Sequence, residues 1–150
     1  MKNLFVLIFL LLNIENEIVV TEYISKSNEI FKIEKKCLFM KENGIYKYYY
    51  KSDTLTVTYD SNYLLIQSLD EINKYVLEED INLLLDNSTE KILIFRTDKI
   101  ENIDRNVKVV FSERYGIIMI SNSSWNTHIM YNEDDEVVNT IQKFILINKN

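Results

Sequence analysis

Polar and apolar residues alternate in the middle of the chain, and this alternation predicts strands. Residues 45–51 put three tyrosines on one face and two lysines on the other, and residues 54–60 oppose a row of apolar side chains to a row of threonines. Successive strand side chains point to opposite faces, so such strands bury one face. Asn43 and Gly44 supply the positive φ angles of a tight hairpin turn. Together with residues 63–67, these two strands predict an antiparallel meander with one face exposed to solvent.

Further strands are predicted on both sides of this meander. Residues 17–24 alternate, with Ile18 and Val20 on one face, and residues 29–40 form either one long strand or two shorter ones. A second meander is predicted from four segments separated by Asp-, Asn- and Ser-containing links, which favour turns. Those segments are residues 91–97, 107–112, 116–121 and 125–132.

Two segments follow a helical pattern instead. Ser68 and Glu71 fit a capping box, and apolar residues recur near the helical period behind them, which predicts a helix over residues 69–85. Near the C-terminus, Asp134 and Asp135 precede apolar residues at positions 137, 138, 141, 144 and 145. That spacing predicts an amphipathic helix with acids at its positive end. The expected fold is therefore α+β, an antiparallel sheet of two meanders with a middle helix and a C-terminal helix packed on one face.

The N-terminus has the pattern of an export signal. Lys2 precedes nine uninterrupted apolar residues, 4–12, and the acidic Glu15 and Glu17 follow. A positive start, a short apolar run and a polar stretch describe a secretory signal, whereas nine helical residues are too short to span a membrane. We expect residues 1–21 to be a signal-like segment, cleaved or anchoring, and residues 22–150 to form one domain. The alternative is a cytoplasmic protein whose first strand resembles a signal.

Composition excludes several classes of function. The net charge is −6, and the densest basic cluster, Lys32, Lys35 and Lys36, is interrupted by Glu34, so nucleic-acid binding is not expected. Two glycines cannot build a phosphate-binding loop, and one Cys with one His cannot build a structural zinc site. No metal and no cofactor are therefore expected. An acidic surface favours a protein partner with a basic surface.

Few side chains offer chemistry. Cys37 has no internal partner for a disulfide, and its apolar neighbours predict a buried thiol rather than an intermolecular bridge or a reactive site. His128 is the only imidazole, so any Ser–His or Cys–His chemistry must use it, but no glycine-flanked serine elbow accompanies it. A partly exposed histidine on a strand is the expected state.

Aromatic residues are the most visible candidates for binding. Tyr46, Tyr48 and Tyr50 form a row that either packs in the core, which the lysines on the opposite face favour, or binds a partner at the surface. Trp125 and His128 complete the set of candidate binding residues, and no catalytic residue is assigned. The sequence predicts a small exported protein that binds a partner without chemistry. The alternatives are a cytoplasmic structural or regulatory domain and an exported hydrolase that uses carboxylates alone.

Overall fold

The chain forms a closed barrel of ten antiparallel strands with one helix on its outer wall. The structure is a computed structural model, and it describes residues 16–27, 29–85, 88–97 and 106–148. Neighbouring strands follow the chain order, and β1 closes the barrel by pairing with both β2 and β10. The elements are β1 Asn16–Lys26, β2 Glu29–Glu42, β3 Ile45–Tyr49, β4 Thr54–Tyr59, β5 Tyr63–Gln67, β6 Ile72–Leu85, β7 Ser88–Thr97, β8 Val107–Ser112, β9 Gly116–Asn122, β10 Thr127–Tyr131 and α1 Glu136–Asn148.

Alternation decides which side chains fill the barrel. Tyr46 lies opposite Val57 and Tyr48 lies opposite Leu55, so both pairs point to the interior. The lysine and the threonines between them lie on the opposite face of the same two strands. The turn between β2 and β3 is made by Asn43 and Gly44, with φ angles of 49° and 77°. The predicted hairpin and the predicted burial of Tyr46 and Tyr48 are confirmed.

The predicted α+β fold of two meanders is wrong, and so is its middle helix. Residues 72–85 form strand β6, which pairs with β5 on one side and with β7 on the other. Apolar residues occupy odd positions of this strand, at 75, 77, 81, 83 and 85. A bulge between Leu77 and Glu79 moves the later odd positions from the inner to the outer face. Ten strands with β6 among them close into one barrel, so no gap separates two meanders.

The predicted C-terminal helix is confirmed, and it packs on the outside of the barrel. Asp135 precedes it, and its Oδ1 accepts the backbone N–H groups of Val137 and Val138, each at 3.0 Å. This cap satisfies amide groups that have no partner within the helix. The buried face of α1, with Val138 and Ile141, covers outward side chains of β7 to β10. No helix in the described part of the chain is long and apolar enough to cross a membrane.

The two ends of the barrel differ in the lengths of their hairpins. We call the end with the β1–β2 and β3–β4 turns the upper end, and the end with the β2–β3 and β8–β9 turns the lower end. The β1–β2 hairpin is tall at the upper end because β2 has 14 residues, whereas its neighbour β3 has only five. The β6–β7 hairpin extends in the same way at the lower end, since β6 also has 14 residues.

The predicted signal segment lies mostly outside the described residues. The apolar run at positions 4–12 is not described, and the prediction of a segment ending at residue 21 stays a prediction. Residues 16–21 belong to β1, where Ile18 and Val20 are buried in the barrel core. Processing before Asn16 leaves β1 whole, whereas a cut after Thr21 would remove half of the strand that closes the barrel.

Candidate functional site

The barrel wall has an opening where β3 is too short to follow β2. Strand β2 pairs with β1 from Glu29 to Phe39, but it pairs with β3 only from Leu38 to Glu42. Among the described strands, the upper half of β2 therefore has a neighbour on one side only. A strand edge of this kind presents main-chain groups that are free to pair.

The direction of these main-chain groups follows from the neighbouring strand. The carbonyl oxygen of Val19 accepts the N–H of Asn132, and the N–H of Ser25 donates to the carbonyl of Asn126, so odd residues of β1 point towards the β10 side. Even residues of β1 then point to β2, where each lies opposite an odd residue. On upper β2, the main-chain N–H and C=O groups of the even residues therefore point into the opening. These residues are Ile30, Lys32, Glu34 and Lys36.

A cavity of about 610 Å³ lies at the foot of this edge. One side is formed by β2, and the opposite side by the turn between β3 and β4. Its floor reaches side chains of β1 and β10 that face the barrel interior. The lining residues are Val20, Glu22, Glu34, Lys35, Lys36, Tyr50, Lys51, Ser52, Asp53, Ile129 and Tyr131.

The floor of the cavity combines apolar side chains with two phenols and a nearby thiol, and the inward-facing carboxylate of Glu22 also lines the cavity. The Tyr50 hydroxyl lies 3.5 Å from the Tyr131 hydroxyl, and Tyr50 also interacts with the Cys37 thiol. Burial raises the pKa of Cys37 to about 11 and that of Tyr131 to about 12, because the charged forms lose water. Burial likewise raises the pKa of Tyr50. All three groups are therefore neutral at pH 7, so the floor offers weak hydrogen bonds and no nucleophile.

The rim carries both signs of charge. Lys35 lies 3.7 Å from Glu22 across the β1–β2 pair, with Nζ and Oε2 as the nearest atoms. On the outer face, Lys32 pairs with Glu34 and Lys36 pairs with Glu17, each at 2.6 Å. These pairs are exposed, so each one stabilises the fold little.

The predicted binding residues are not brought together. Tyr46 and Tyr48 lie in the core, and only Tyr50 of the tyrosine row reaches the cavity. Trp125 is 67% exposed and lies in the turn between β9 and β10 at the upper end. His128 lies on the outer wall, where its side chain is half-buried. Whether any of these residues binds a partner stays a prediction.

His128 belongs to a second cavity, between the outer wall and α1. This groove has a volume of about 610 Å³ and is also lined by Tyr23, Ile30 and Lys143. The Tyr23 hydroxyl donates to the carboxylate of Glu133 at 3.0 Å. Nδ1 of His128 is buried and has no hydrogen-bond partner in the described part of the chain. Desolvation, followed by the charge of Lys108, lowers the pKa of His128 below its usual 6.5.

Several residues of the cavity were not predicted from the sequence. Val20, Ile129 and Tyr131 come from the two strands that close the barrel, and Lys35 was assigned only to a basic cluster. The signal that could have found the opening is a difference in strand length, since a long strand over residues 29–40 precedes a much shorter one.

Neither metal-ligating side chains nor similarity to known proteins indicates a function for this site. In the described ranges, no three His, Cys, Asp or Glu side chains form a group that could hold a metal ion. No family model, no curated protein and no solved structure matches this chain.

Proposed function

We propose that this chain is a binding protein that takes its ligand at the opening between β2 and the β3–β4 turn. The observation that carries this proposal is the cavity of about 610 Å³, which runs from the surface to an apolar floor inside the barrel. A concave, mostly apolar site with a few convergent polar groups is the usual form of a ligand site. The Tyr50 and Tyr131 hydroxyls are such groups.

The chemistry of the floor supports binding rather than catalysis. A nucleophilic cysteine needs a thiolate, and the raised pKa of Cys37 keeps the thiol protonated. His128 lies on the opposite face of β10 from Ile129, which lines the cavity, so its imidazole cannot assist Cys37. The alternatives of a cytoplasmic structural domain and of a carboxylate-dependent hydrolase stay predictions.

Export and a basic partner remain part of the proposal. The apolar run at positions 4–12 supports export to the periplasm, to the extracellular space or to a membrane surface. The net charge of −6 favours a partner with a basic surface, because opposite charge speeds diffusional encounter. Charges of both signs at the rim then contribute to orientation once the partner has arrived.

Binding of anilinonaphthalene sulfonate, which fluoresces in apolar sites, tests the cavity. We expect a single saturable site on the intact protein. The Ile129→Trp variant fills the cavity floor, and we expect its affinity to fall at least about tenfold, which is 1.4 kcal/mol. The matched control is Ile72→Trp, which adds the same ring on an exposed part of β6 and should leave the affinity unchanged.

Equal affinity in the two variants would mean that the dye binds elsewhere, and the proposed site would be wrong. Far-UV circular dichroism establishes that each variant keeps its strands. If Ile129→Trp does not fold, Ile129→Phe narrows the same floor with a smaller ring, and the affinity should change in the same direction by a smaller factor.

A further inference from the structure

We propose that the ligand of this opening is an extended peptide segment of another protein, which adds a strand to the free edge of β2. This inference rests on the proposed function and names its ligand class. Addition of a strand to an exposed sheet edge derives affinity from main-chain hydrogen bonds and specificity from alternate side chains. The opening provides both elements, since an unpaired edge and a cavity share the residues Glu34, Lys35 and Lys36.

Among the strands that the structure describes, none pairs with the main-chain groups of upper β2 that face away from β1. Ile30, Lys32, Glu34 and Lys36 direct their N–H and C=O groups into the opening, away from β1. A peptide strand at the usual spacing of about 4.8 Å would lie directly above the end of β3. There it would meet the β3–β4 turn, in which the N–H of Tyr50 donates to the carbonyl of Asp53 at 2.8 Å.

The side chains of β2 specify an alternating peptide. Phe31, Ile33 and Lys35 point to the inner side; Phe31 and Ile33 are 48% and 41% exposed, and Lys35 pairs with Glu22. Peptide residues on the same side would pack against them and above the cavity floor of Val20 and Ile129. Apolar residues are therefore expected at every second position of the peptide, since burial of that surface is favourable.

The outer side of the peptide is specified by charge. Lys32, Glu34 and Lys36 form a row on the outer face of β2, with one acid between two bases. Cross-strand neighbours of opposite charge stabilise a sheet, and like charges destabilise it. The matching peptide has an acid, a base and an acid at its outward positions, and VEVKVEV combines these charges with apolar inward residues.

A second copy of this chain fits the edge less well. Antiparallel pairing of two β2 strands about Ile33 would place the tip of each hairpin, beyond Lys26, level with Leu38 of the other strand. Strand β3 already pairs with Leu38 through Tyr49, and the β3–β4 turn lies above it. A linear segment has no second strand behind it and avoids this collision.

The lower end of the barrel offers a poorer edge. The lower half of β6 also extends beyond its neighbour β5, which pairs with it only from Ile72 to Val76. However, the cavity at the lower end is lined by only Leu77 and Asp80 of that strand. The cavity beside β2 thus shares three residues with its edge strand, and the lower cavity shares two with β6.

The test uses the acetylated and amidated peptide VEVKVEV, labelled with fluorescein, and follows its fluorescence anisotropy with the full protein. We expect saturable binding. The charge-swapped peptide VKVEVKV has the same apolar positions and should bind at least about fivefold more weakly, because three cross-strand pairs become repulsive. Equal binding affinity for the two peptides would contradict the role given to the charged row on β2, and the proposal with it.

Methylation of the peptide amides tests strand addition itself. The proposed peptide pairs antiparallel with β2, so its outward residues lie opposite the even residues of β2 and turn their N–H groups towards β2. Methylation at the three charged positions should weaken binding by more than about tenfold, because it removes these main-chain donors. Methylation at three of the valines alters the far edge and should leave the affinity unchanged. Equal effects of the two patterns would overturn strand addition.

The two proposals can fail separately. If dye binding depends on Ile129 but neither peptide binds, the cavity is a ligand site and the peptide inference is wrong. If the peptides bind with the expected methylation pattern and displace the dye, both proposals hold. If the dye is insensitive to Ile129→Trp and no peptide binds, both are wrong.

Discussion

The lower half of the barrel interior packs aromatic rings around Phe111 and has a cavity of about 850 Å³ at its end, whereas the upper half opens through the wall beside β2. In the lower half, Tyr46 and Tyr59 pack against Phe111 with ring centroids 5.0 Å and 4.9 Å from it. Phe39 lies 5.1 Å from Tyr48 in the same way. In the upper half, β1 contributes the smaller Val20 and the charged Glu22 to inward positions, and a cavity remains that Ile129 and Tyr131 of β10 also line.

The difference shows how local features of the chain produce an opening. Tyr46 and Tyr48 of β3 and Tyr59 of β4 point inward, where their rings pack with those of Phe39 and Phe111. At the upper end, β3 stops at Tyr49 while β2 continues, so the wall and the interior are open at the same place. The predictions below test each half, beginning with the largest effect.

Replacement of Gly116, which lies in the lower half, should cause the largest loss of stability. Gly116 has a φ of +75°, and a Cβ there would collide with the Tyr48 hydroxyl, so Gly116→Ala adds a clash to backbone strain. We expect a loss of about 3 kcal/mol in the free energy of unfolding, measured in urea. Gly44→Ala is the control, because Gly44 has a φ of +77° and nothing within 4 Å. It should cost only about 1 kcal/mol.

Equal losses in the two variants would show that the space around Gly116 is not filled as described. The difference between them measures the packing of the lower half, since the backbone strain is common to both.

Removal of the hydroxyl from Tyr48 or from Tyr50 should give a second, smaller difference in stability. The Tyr48 hydroxyl accepts the buried N–H of Ile117 at 2.6 Å, so Tyr48→Phe leaves that donor without a partner. We expect a loss of about 2 kcal/mol. The Tyr50 hydroxyl lies 3.5 Å from that of Tyr131, beside the open cavity, so Tyr50→Phe should change the stability by less than about 0.5 kcal/mol. Urea unfolding measures both values, and a larger loss for Tyr50→Phe would contradict the contrast.

The smallest expected effect is on the pH dependence of stability, and it concerns a residue beside the upper cavity. His128 precedes Ile129, which lines the cavity, and the pKa of its imidazole is lowered in the folded protein. The unfolded chain then binds the proton more readily, so the contribution of His128 to stability is full above about pH 6.5 and is lost as the pH falls below it. In His128→Asn, the fall in unfolding free energy between pH 7 and pH 5 should be shallower. An unchanged slope would exclude this role.

Much of the barrel wall could be predicted from the sequence. Alternation located β3, β4 and β5, and the Asn43–Gly44 turn placed the β2–β3 hairpin. The middle segment was misassigned because Ser68 and Glu71 imitate a helix cap. The bulge after Leu77 also lets apolar residues serve both faces of one strand. A propensity pattern cannot show this, since the pairing of β6 with β5 and β7 decides it.

The site could be predicted only in part. Tyr50 was singled out as part of an aromatic row, but its exposure to a cavity depends on where β3 ends. The sequence predicted a strand to residue 51, and the structure ends it at Tyr49, where the chain turns back through Asp53. Val20 and Tyr131 are 111 positions apart and meet only because β1 pairs with β10 to close the barrel. Such contacts depend on topology.

Residue-resolved hydrogen exchange of the upper half of β2 tests the central claim most directly. If the edge is open, the amides of Ile30, Lys32, Glu34 and Lys36 exchange rapidly, while those of Phe31, Ile33 and Lys35, which face β1, are protected. Uniform protection of all seven amides would show that another segment or another molecule already covers the edge, and it would contradict the open site on which both proposals rest.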